Sequence, residues 1–472
     1  MEKASNVSLG RALDAVRGVL AQPDAVHFVM LLALLRHEAE RDALAERSPA
    51  ERAWSRVLSR DLWTRDGHDV VSEVMHGLWE WQAHHRELRD LPPDLKGIRG
   101  ADLEPLVRCV STAPDLAMLF RECLEHDQRS AKGGDYYTPT DLAGLVTDLM
   151  EPRPDESVYD PACGSGGFLL KADEYACARG GRPGATALYG QDSSRAALET
   201  AAINLTVHGV RGLLHGPASS LTEGGFRDLA FDVVLANPPF NQTAWSQQGR
   251  EAQSDWRYGI PPAGNANFAW AQHVVSRMLP KEPGRAALLL PTAAASTARP
   301  AELQIRAGLV DSDVLSCVIE LPAGLLPHVR NPVTLWLFSS SKKARLPWGA
   351  SDRSGQILLI DASSTAAKVA RGRRILPGEA RDRIKATFAS WRGAQGQEPY
   401  EDVPSWCRSL SAGEIAAQDY DVLPSRRVGV PVVESGHGDD KRRVGELTQE
   451  LYGLFDLSHG LEAELRDLLE QW

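Results

Sequence analysis

Asn237-Pro238-Pro239-Phe240 directly follows the apolar run Phe231-Asp232-Val233-Val234-Leu235-Ala236, so an amide, a rigid turn and an aromatic ring meet at the end of a predicted strand. A site that holds a flat amino-substituted base needs those three things. The Asn237 side-chain oxygen and the Pro238 main-chain carbonyl can each accept a hydrogen from one exocyclic NH2 group. Two successive prolines fix φ, which presets both acceptors. Phe240 offers a π-face on which an unstacked base can lie. A Pro-Pro turn that merely closes a strand has the same composition, so the reading depends on context.

Upstream, Val158-Tyr159-Asp160-Pro161-Ala162-Cys163-Gly164-Ser165-Gly166-Gly167-Phe168 runs into the helix-like Leu169-Leu170-Lys171-Ala172. A short strand, a glycine-rich turn and a helix make a nucleotide-type cradle. Glycine permits positive φ and close backbone approach, and the helix N-terminus presents free N–H groups. The next strand, Ala187 to Gln191, ends at Asp192. There a carboxylate could grip the two ribose hydroxyls of a nucleoside cofactor, at about the spacing a βαβ unit requires. Asp192 could instead cap the helix that starts near Arg195. Asp160 has a similar double reading, as anchor of the glycine turn or as partner of the cofactor's amino group.

The elements that would position these groups alternate between strand and helix from Tyr136 to about Ser341, which predicts an α/β, doubly wound sheet. Ala286 to Pro291 and Val333 to Phe338 read as later strands. Residues 1–128 read as a helical domain, with apolar residues at helical spacing in Leu9–Leu20, Ala25–Ala45 and Trp54–Leu62. The catalytic domain is expected over 129–345 and a C-terminal region over 346–472, rich in Gly, Arg and Ser up to about residue 440. From Val444 a leucine stripe (Leu447, Leu451, Leu454, Leu461, Leu465, Leu468, Leu469) predicts a terminal helical tail that packs by its apolar face.

Taken together, these blocks resemble the modification subunit of type I restriction-modification systems, within the N6-adenine DNA methyltransferases that use S-adenosylmethionine. The matching blocks are Gly134-Asp135-Tyr136-Tyr137-Thr138-Pro139, Asp160 to Phe168, Gly190-Gln191-Asp192, Asn204 to Gly209 and Asn237 to Phe240. They continue with Gly264-Asn265-Ala266-Asn267-Phe268-Ala269-Trp270, Leu321 to Leu325, and Asp419-Tyr420-Asp421. The resemblance implies a Rossmann-like class I methyltransferase sheet with S-adenosylmethionine as cofactor. Tyr137, Thr138, Pro139, Asp160, Ala162, Gly164, Gly166 and Asp192 would bind the cofactor, and Asn237, Pro238, Pro239 and Phe240 would handle the adenine. Thr138 would lie over the methionine end. Phe268 could offer a second face for the base, though a core aromatic on a helix is the simpler reading. Implied partners are double-stranded DNA with a flipped adenine, a specificity subunit and, in the assembled system, a restriction subunit. One block departs from the family. Where an acidic residue usually follows the third strand, His215-Gly216-Pro217-Ala218-Ser219-Ser220-Leu221 offers only the two serine hydroxyls, which implies modest cofactor affinity.

Composition narrows the classes. The net charge is −11 and the sequence pI about 5.7, whereas a chain that grips DNA alone normally shows a strong basic face. Arg371-Gly372-Arg373-Arg374, Arg426-Arg427 and Lys441-Arg442-Arg443 are local basic clusters, and each could be a solvated loop. Much of the DNA grip and the sequence choice is therefore expected from another subunit, in a hetero-oligomer. No apolar stretch has spanning length and no signal-peptide pattern opens the chain, so a cytoplasmic protein away from membranes is expected. The six cysteines form no C-x-x-C pair and the histidines, His84-His85 and His208 among them, have no partner set at metal-ligand spacing; no metal is expected. No helicase P-loop occurs. Two alternatives stay open on the residues alone: an enzyme acting on a glutamine side-chain amide, which poses a similar geometric problem, and a methyltransferase-like scaffold with a decayed cofactor site.

Overall fold

Val233–Ala236 is buried at all four positions, as a strand covered on both faces by helices must be. In the computed structural model it is the sixth of the nine strands that one sheet has among the described residues. The structure describes residues 7–41, 48–59, 61–84, 98–130, 138–243, 245, 256–280, 284–326, 329, 331–346, 348–365, 367–368, 374–429, 448–449 and 452. Contacts divide the chain into two compact units, Met1–Val428 and Gly429–Trp472. Nearly all of the second unit, including the expected leucine-striped tail, lies outside the described residues.

The strands are β1 (Ser157–Asp160), β2 (Ala187–Gln191), β3 (Gly212–His215), β4 (Val233–Ala236), β5 (Arg285–Pro291), β6 (Leu315–Leu321), β7 (Val333–Ser339) and β8 (Gln356–Asp361). After them come the short pair β9 (Ala367–Lys368) and β10 (Arg374–Ile375), then β11 (Cys407–Ser411). Among the described residues the large sheet has the order β11-β8-β6-β7-β5-β4-β1-β2-β3. It is parallel except at β7, which runs antiparallel between β5 and β6, and at the edge strand β11. β1 pairs β2 on one side and β4 on the other, so Asp160, Asp192 and Asn237 follow the C-terminal ends of three adjacent strands. That is where a crevice opens in a doubly wound sheet.

Among the described residues eight α-helices precede β1, and the first seven are α1 (Leu9–Ala15), α2 (Gln22–Arg41), α3 (Pro49–Val57), α4 (Gly67–Gly77), α5 (Trp79–His84), α6 (Glu104–Thr112) and α7 (Leu116–Ser130). The expected helix over Trp54–Leu62 instead begins earlier. Ser48 caps its N-terminus through Glu51 N–H, and Pro49 fits the first turn. α2 is the spine, with the unbroken run Val26–Leu35 buried among its neighbours apart from His27. α8 (Thr140–Met150), α9 (Gly167–Cys177), α10 (Arg195–Val207), α11 (Asn267–Ser276) and α12 (Pro300–Asp311) flank the sheet. The first helices sit on α10: Trp81 Nε1 donates to Thr206 Oγ1 at 3.2 Å, and His27 Nε2 lies 3.3 Å from the Glu199 carboxylate.

The sheet does not end near residue 345, where sequence composition placed the limit of the catalytic domain. β8 and β11 extend it, and α13 (Gly378–Arg392) lies against it, followed by α14 (Ala412–Ala416) and α15 (Pro424–Arg427). The region looked irregular because its apolar runs are short and set between polar inserts. Trp391 and Trp406 anchor α13, their indole N–H groups donating to Ser409 Oγ and Thr387 Oγ1, both at 2.9 Å.

A buried ionic junction fastens this addition to the opposite end of the sheet from the crevice. Arg285, at the start of β5, pairs with Glu156 at 2.6 Å and donates to the carbonyls of Met150 and Glu151. Arg392 of α13 pairs with Glu151 at 2.8 Å, and its guanidinium lies 3.7 Å from the Trp348 ring centroid. Removing one partner of a buried pair strands the other charge. Arg285→Met is expected to cost about 3 kcal/mol of unfolding free energy, read from the urea midpoint. An unchanged midpoint would show that the junction holds nothing.

Candidate active site

Asn237 is buried, and its two amide atoms are treated differently. Nδ2 donates to Thr138 Oγ1 at 2.9 Å, whereas Oδ1 is buried with no hydrogen-bond partner among the described residues. A buried unsatisfied acceptor costs free energy, so in native proteins it calls for an explanation. The Thr138 contact fixes which way the amide points and thereby presents Oδ1. Pro238 is buried beside it, and Phe240 is half-buried, packed against the larger core cluster.

The glycine turn is built as its composition predicts. Gly164 and Gly166 have φ of 51° and 76°, and Gly166 is the N-cap of α9. A Cβ on Gly166 would lie 3.3 Å from Ala201 of α10, so both backbone sign and space favour glycine there. Asn204, buried on α10, holds the turn from behind by donating to the Ser165 carbonyl at 2.8 Å. This explains the Asn204 block, which sequence alone left without a role.

Both readings of the two aspartates prove partly structural. Asp160, 1% exposed, accepts from Ala162 N–H at 3.0 Å. Burial pushes its carboxyl well above the ordinary carboxylate range; the Ala162 hydrogen bond opposes this and the nearby Asp192 charge adds to it. Asp192 Oδ2 accepts from Gly164 N–H at 2.9 Å, and Oδ1 accepts from Ser194 N–H at 2.8 Å. The cap of α10 is Ser194, whose side chain accepts from Ala197 N–H. Asp192 is therefore not the N-cap; it ties the glycine turn to the next strand end. Cys163 is fully buried and its thiol is pushed far up by burial first and then by both aspartates, which makes it a neutral packing residue.

Several expectations are corrected or located. Ser220 is not available beside the crevice, because its hydroxyl donates to the Pro161 carbonyl at 2.6 Å. Phe268 is 1% exposed and packs edge-on to Trp336, with centroids 6.2 Å apart, so it belongs to the core and offers no face to a base. Pro139 is the N-cap of α8, and Tyr137 lies outside the described residues. His208 is the C-cap of α10 with Nδ1 2.8 Å from the Asn204 carbonyl. Arg426 pairs with Asp421 at 3.1 Å; Arg371 to Arg373 and Lys441 to Arg443 lie outside the described residues. Sequence reasoning missed an amide pair after the turn: Asn241 N–H donates to Asn267 Oδ1 at 2.9 Å and Asn267 Nδ2 donates to Asn241 Oδ1 at 3.0 Å. The clustering of asparagines in Gly264–Asn267 was the available signal. Among the described residues no group of side chains is arranged to hold a metal ion, and no helix is long and apolar enough to cross a membrane.

Comparison with known proteins matches residues 122–435 to the family model described as N-6 DNA Methylase. The chain is 31% identical over 338 residues to the type I restriction enzyme HindI methylase subunit of Haemophilus influenzae, covering 71% of this chain and 72% of that one. It is 28% identical over 344 residues to the MjaIX methylase subunit of Methanocaldococcus jannaschii, covering 72% of this chain but 59% of the relative. The fold superposes with a TM-score of 0.68 on the type I restriction-modification methyltransferase subunit from Streptococcus thermophilus, at 20% identity and over 89% of this chain and 97% of the other.

Proposed function

This chain belongs to the N-6 DNA methylase family, and from that premise we propose that it transfers a methyl group from S-adenosylmethionine to N6 of adenine in DNA, as the modification subunit of a type I-like restriction-modification system. The observation that carries the reading is the buried, unpartnered Oδ1 of Asn237. That atom is an acceptor held ready for a donor that none of the described residues supplies, and an exocyclic NH2 is such a donor.

The residues present fit the cofactor. Two carboxyl groups, Asp160 and Asp192, stand at neighbouring strand ends beside a glycine turn; burial raises the Asp160 carboxyl and the Asp192 charge adds to that rise, and the same Asp192 charge favours a cationic ligand. When bound, S-adenosylmethionine supplies a methyl carbon made electrophilic by its sulfonium centre. The chain's own work is placement and electrostatics. Asn237 Oδ1 accepts one N6 hydrogen and the Pro238 carbonyl accepts the other, which draws the nitrogen toward tetrahedral geometry and frees its lone pair. Positive charge gathering on N6 is met by acceptors already in position. Phe240 holds the extruded base by one face. Thr138 steers the Asn237 amide, in addition to any contact with the methionine end.

DNA methylase subunits among the relatives favour this reading over the glutamine-amide and scaffold alternatives. The acidic net charge supports a division of labour in which a specificity subunit contributes DNA contacts and the site choice. Residues 1–128 would close around the duplex, and the C-terminal tail would dock the partner. The cytoplasm is the compartment this role requires.

Nucleoside mass spectrometry for N6-methyladenine tests the activity, in cells without adenine methylases of their own that express this chain with its neighbouring genes. Signal from wild type and none from Asn237→Ala is expected; absence of signal from both, with soluble protein, would sink the proposal. Cofactor affinity should be modest, because Pro217 and Ala218 stand where the family carries an acid. Ser220→Ala should lower stability by about 1 kcal/mol through the lost bond to Pro161 and leave calorimetric cofactor affinity unchanged. A weakened affinity in that variant would restore Ser220 to the binding site.

A further inference from the structure

We infer that Asn267 is a positioning residue for methyl transfer, and that the Gly264–Phe268 block aims the Asn237–Phe240 turn; this rests on the activity proposed above. The prolines fix φ at positions 238 and 239, but that constraint stops before Phe240, whose ring must be directed. Immediately beyond, Asn241 enters the left-handed region with φ of 52°, a conformation that a residue other than glycine keeps when its surroundings hold it.

Asn267 supplies the hold. Its Oδ1 accepts from Asn241 N–H at 2.9 Å and its Nδ2 donates to Asn241 Oδ1 at 3.0 Å. The next residue is caught as well, since Ala266 N–H donates to the Gln242 carbonyl at 3.1 Å. Both ends of one primary amide are thus committed to a single residue of the turn, and Asn267 is only 4% exposed. Asn267 is itself fixed: its N–H donates to Asn265 Oδ1 at 2.9 Å, and Asn265 Nδ2 donates to Glu302 Oε1 at 3.1 Å. Glu302, buried on α12, also accepts from the Thr297 hydroxyl at 2.7 Å. On the other side of Asn267, Phe268 is packed into the core against Trp336. The turn after β4 is therefore referenced to α11 and α12, two elements that themselves carry no acceptor for the base. A polar residue so placed, with both ends of its amide committed to Asn241, acts through the geometry of Phe240 and the Pro238 carbonyl.

The test uses the full chain purified with the subunits encoded beside it, on a duplex carrying its mapped methylation site. Asn267→Ala should lower kcat by about 10- to 100-fold, the range a misplacement on the order of an ångström produces. KM for DNA should move less than about threefold, and calorimetric affinity for S-adenosylmethionine should not move. With 2-aminopurine at the target position, the emission rise on extrusion should persist with an altered amplitude, reporting a changed stacking partner. Asn241→Gly keeps the N–H donor and adopts the left-handed backbone freely, so it should stay within about fivefold of wild type and serves as the folded control. Wild-type kcat in Asn267→Ala would overturn the inference. So would a parallel loss of rate and cofactor affinity, which would mark Asn267 as a general support of the fold. A wild-type complex that methylates no adenine would remove the activity itself, a failure visible before any variant is made.

Discussion

Asn237→Ala should reduce methyl transfer about 10^2- to 10^3-fold, the loss found when a single preorganised group aimed at developing charge is removed, while cofactor affinity stays within about threefold of wild type. The asymmetry of the amide is the reason. Nδ2 is engaged with Thr138 and Oδ1 is held open, so truncation removes an interaction made with the reacting nitrogen and little that supports the fold. Single-turnover transfer of a tritiated methyl group would read the rate, and calorimetry the affinity. Asn237→Asp refines the test, because a carboxylate can accept from N6 but cannot donate to Thr138; it should recover part of the rate. A rate within tenfold of wild type in Asn237→Ala would show that the Pro238 carbonyl and stacking suffice.

Asp192→Ala should weaken S-adenosylmethionine binding about 10- to 100-fold, as expected for a lost charge-assisted hydrogen bond. It should also lower thermal stability, since the same carboxylate accepts from Gly164 and Ser194 N–H groups. Two consequences of one residue can be separated. Asp192→Asn keeps a single acceptor, enough for one of the two backbone donors but with no charge for a ribose hydroxyl, so its stability should fall less than its affinity. If Asp192→Ala melted early yet bound the cofactor as tightly as wild type, the residue would be a loop tie and its ribose role would be lost.

The parts of this design that were legible in sequence are those encoded over a few consecutive residues. β2, β5 and β7 were read from their apolar-rich runs, and β1 as the short strand that leads into the glycine turn. The Asn237–Phe240 turn and the glycine cradle were legible because proline and glycine carry backbone instructions in their covalent structure. What stayed hidden joins distant residues. Nothing near Asn237 says that Thr138 will turn its amide, and nothing near Asn241 says that Asn267 will hold it. Ser220 looked available beside the cradle because its partner is a main-chain carbonyl, that of Pro161, which sequence does not display. β8 carried the same signal as β2, β5 and β7, the apolar run Ile357–Ile360 between Gln356 and Asp361, and was overlooked because the polar and glycine-rich segments around it dominate the composition; β11, a five-residue strand with polar residues inside it, becomes recognisable only when paired with β8.

The strand order also dictates a timetable for synthesis. The α1–α7 segment leaves the ribosome first and can gather around α2 at once, although α10, the helix on which it settles, comes later. The strands cannot keep to that schedule. β1 must wait for β4 through the whole of β2 and β3, β5 must wait past β6 for β7, and β8 stays unpaired on its outer side until β11 is made. Long-range pairings of this kind form slowly and leave edges open meanwhile. A nascent chain halted between Asp361 and Cys407 would therefore present the bare edge of β8 to other chains or to a chaperone. The strand ends of β1, β2 and β4 would by then already carry Asp160, Asp192 and Asn237, on a sheet not yet closed at its far border.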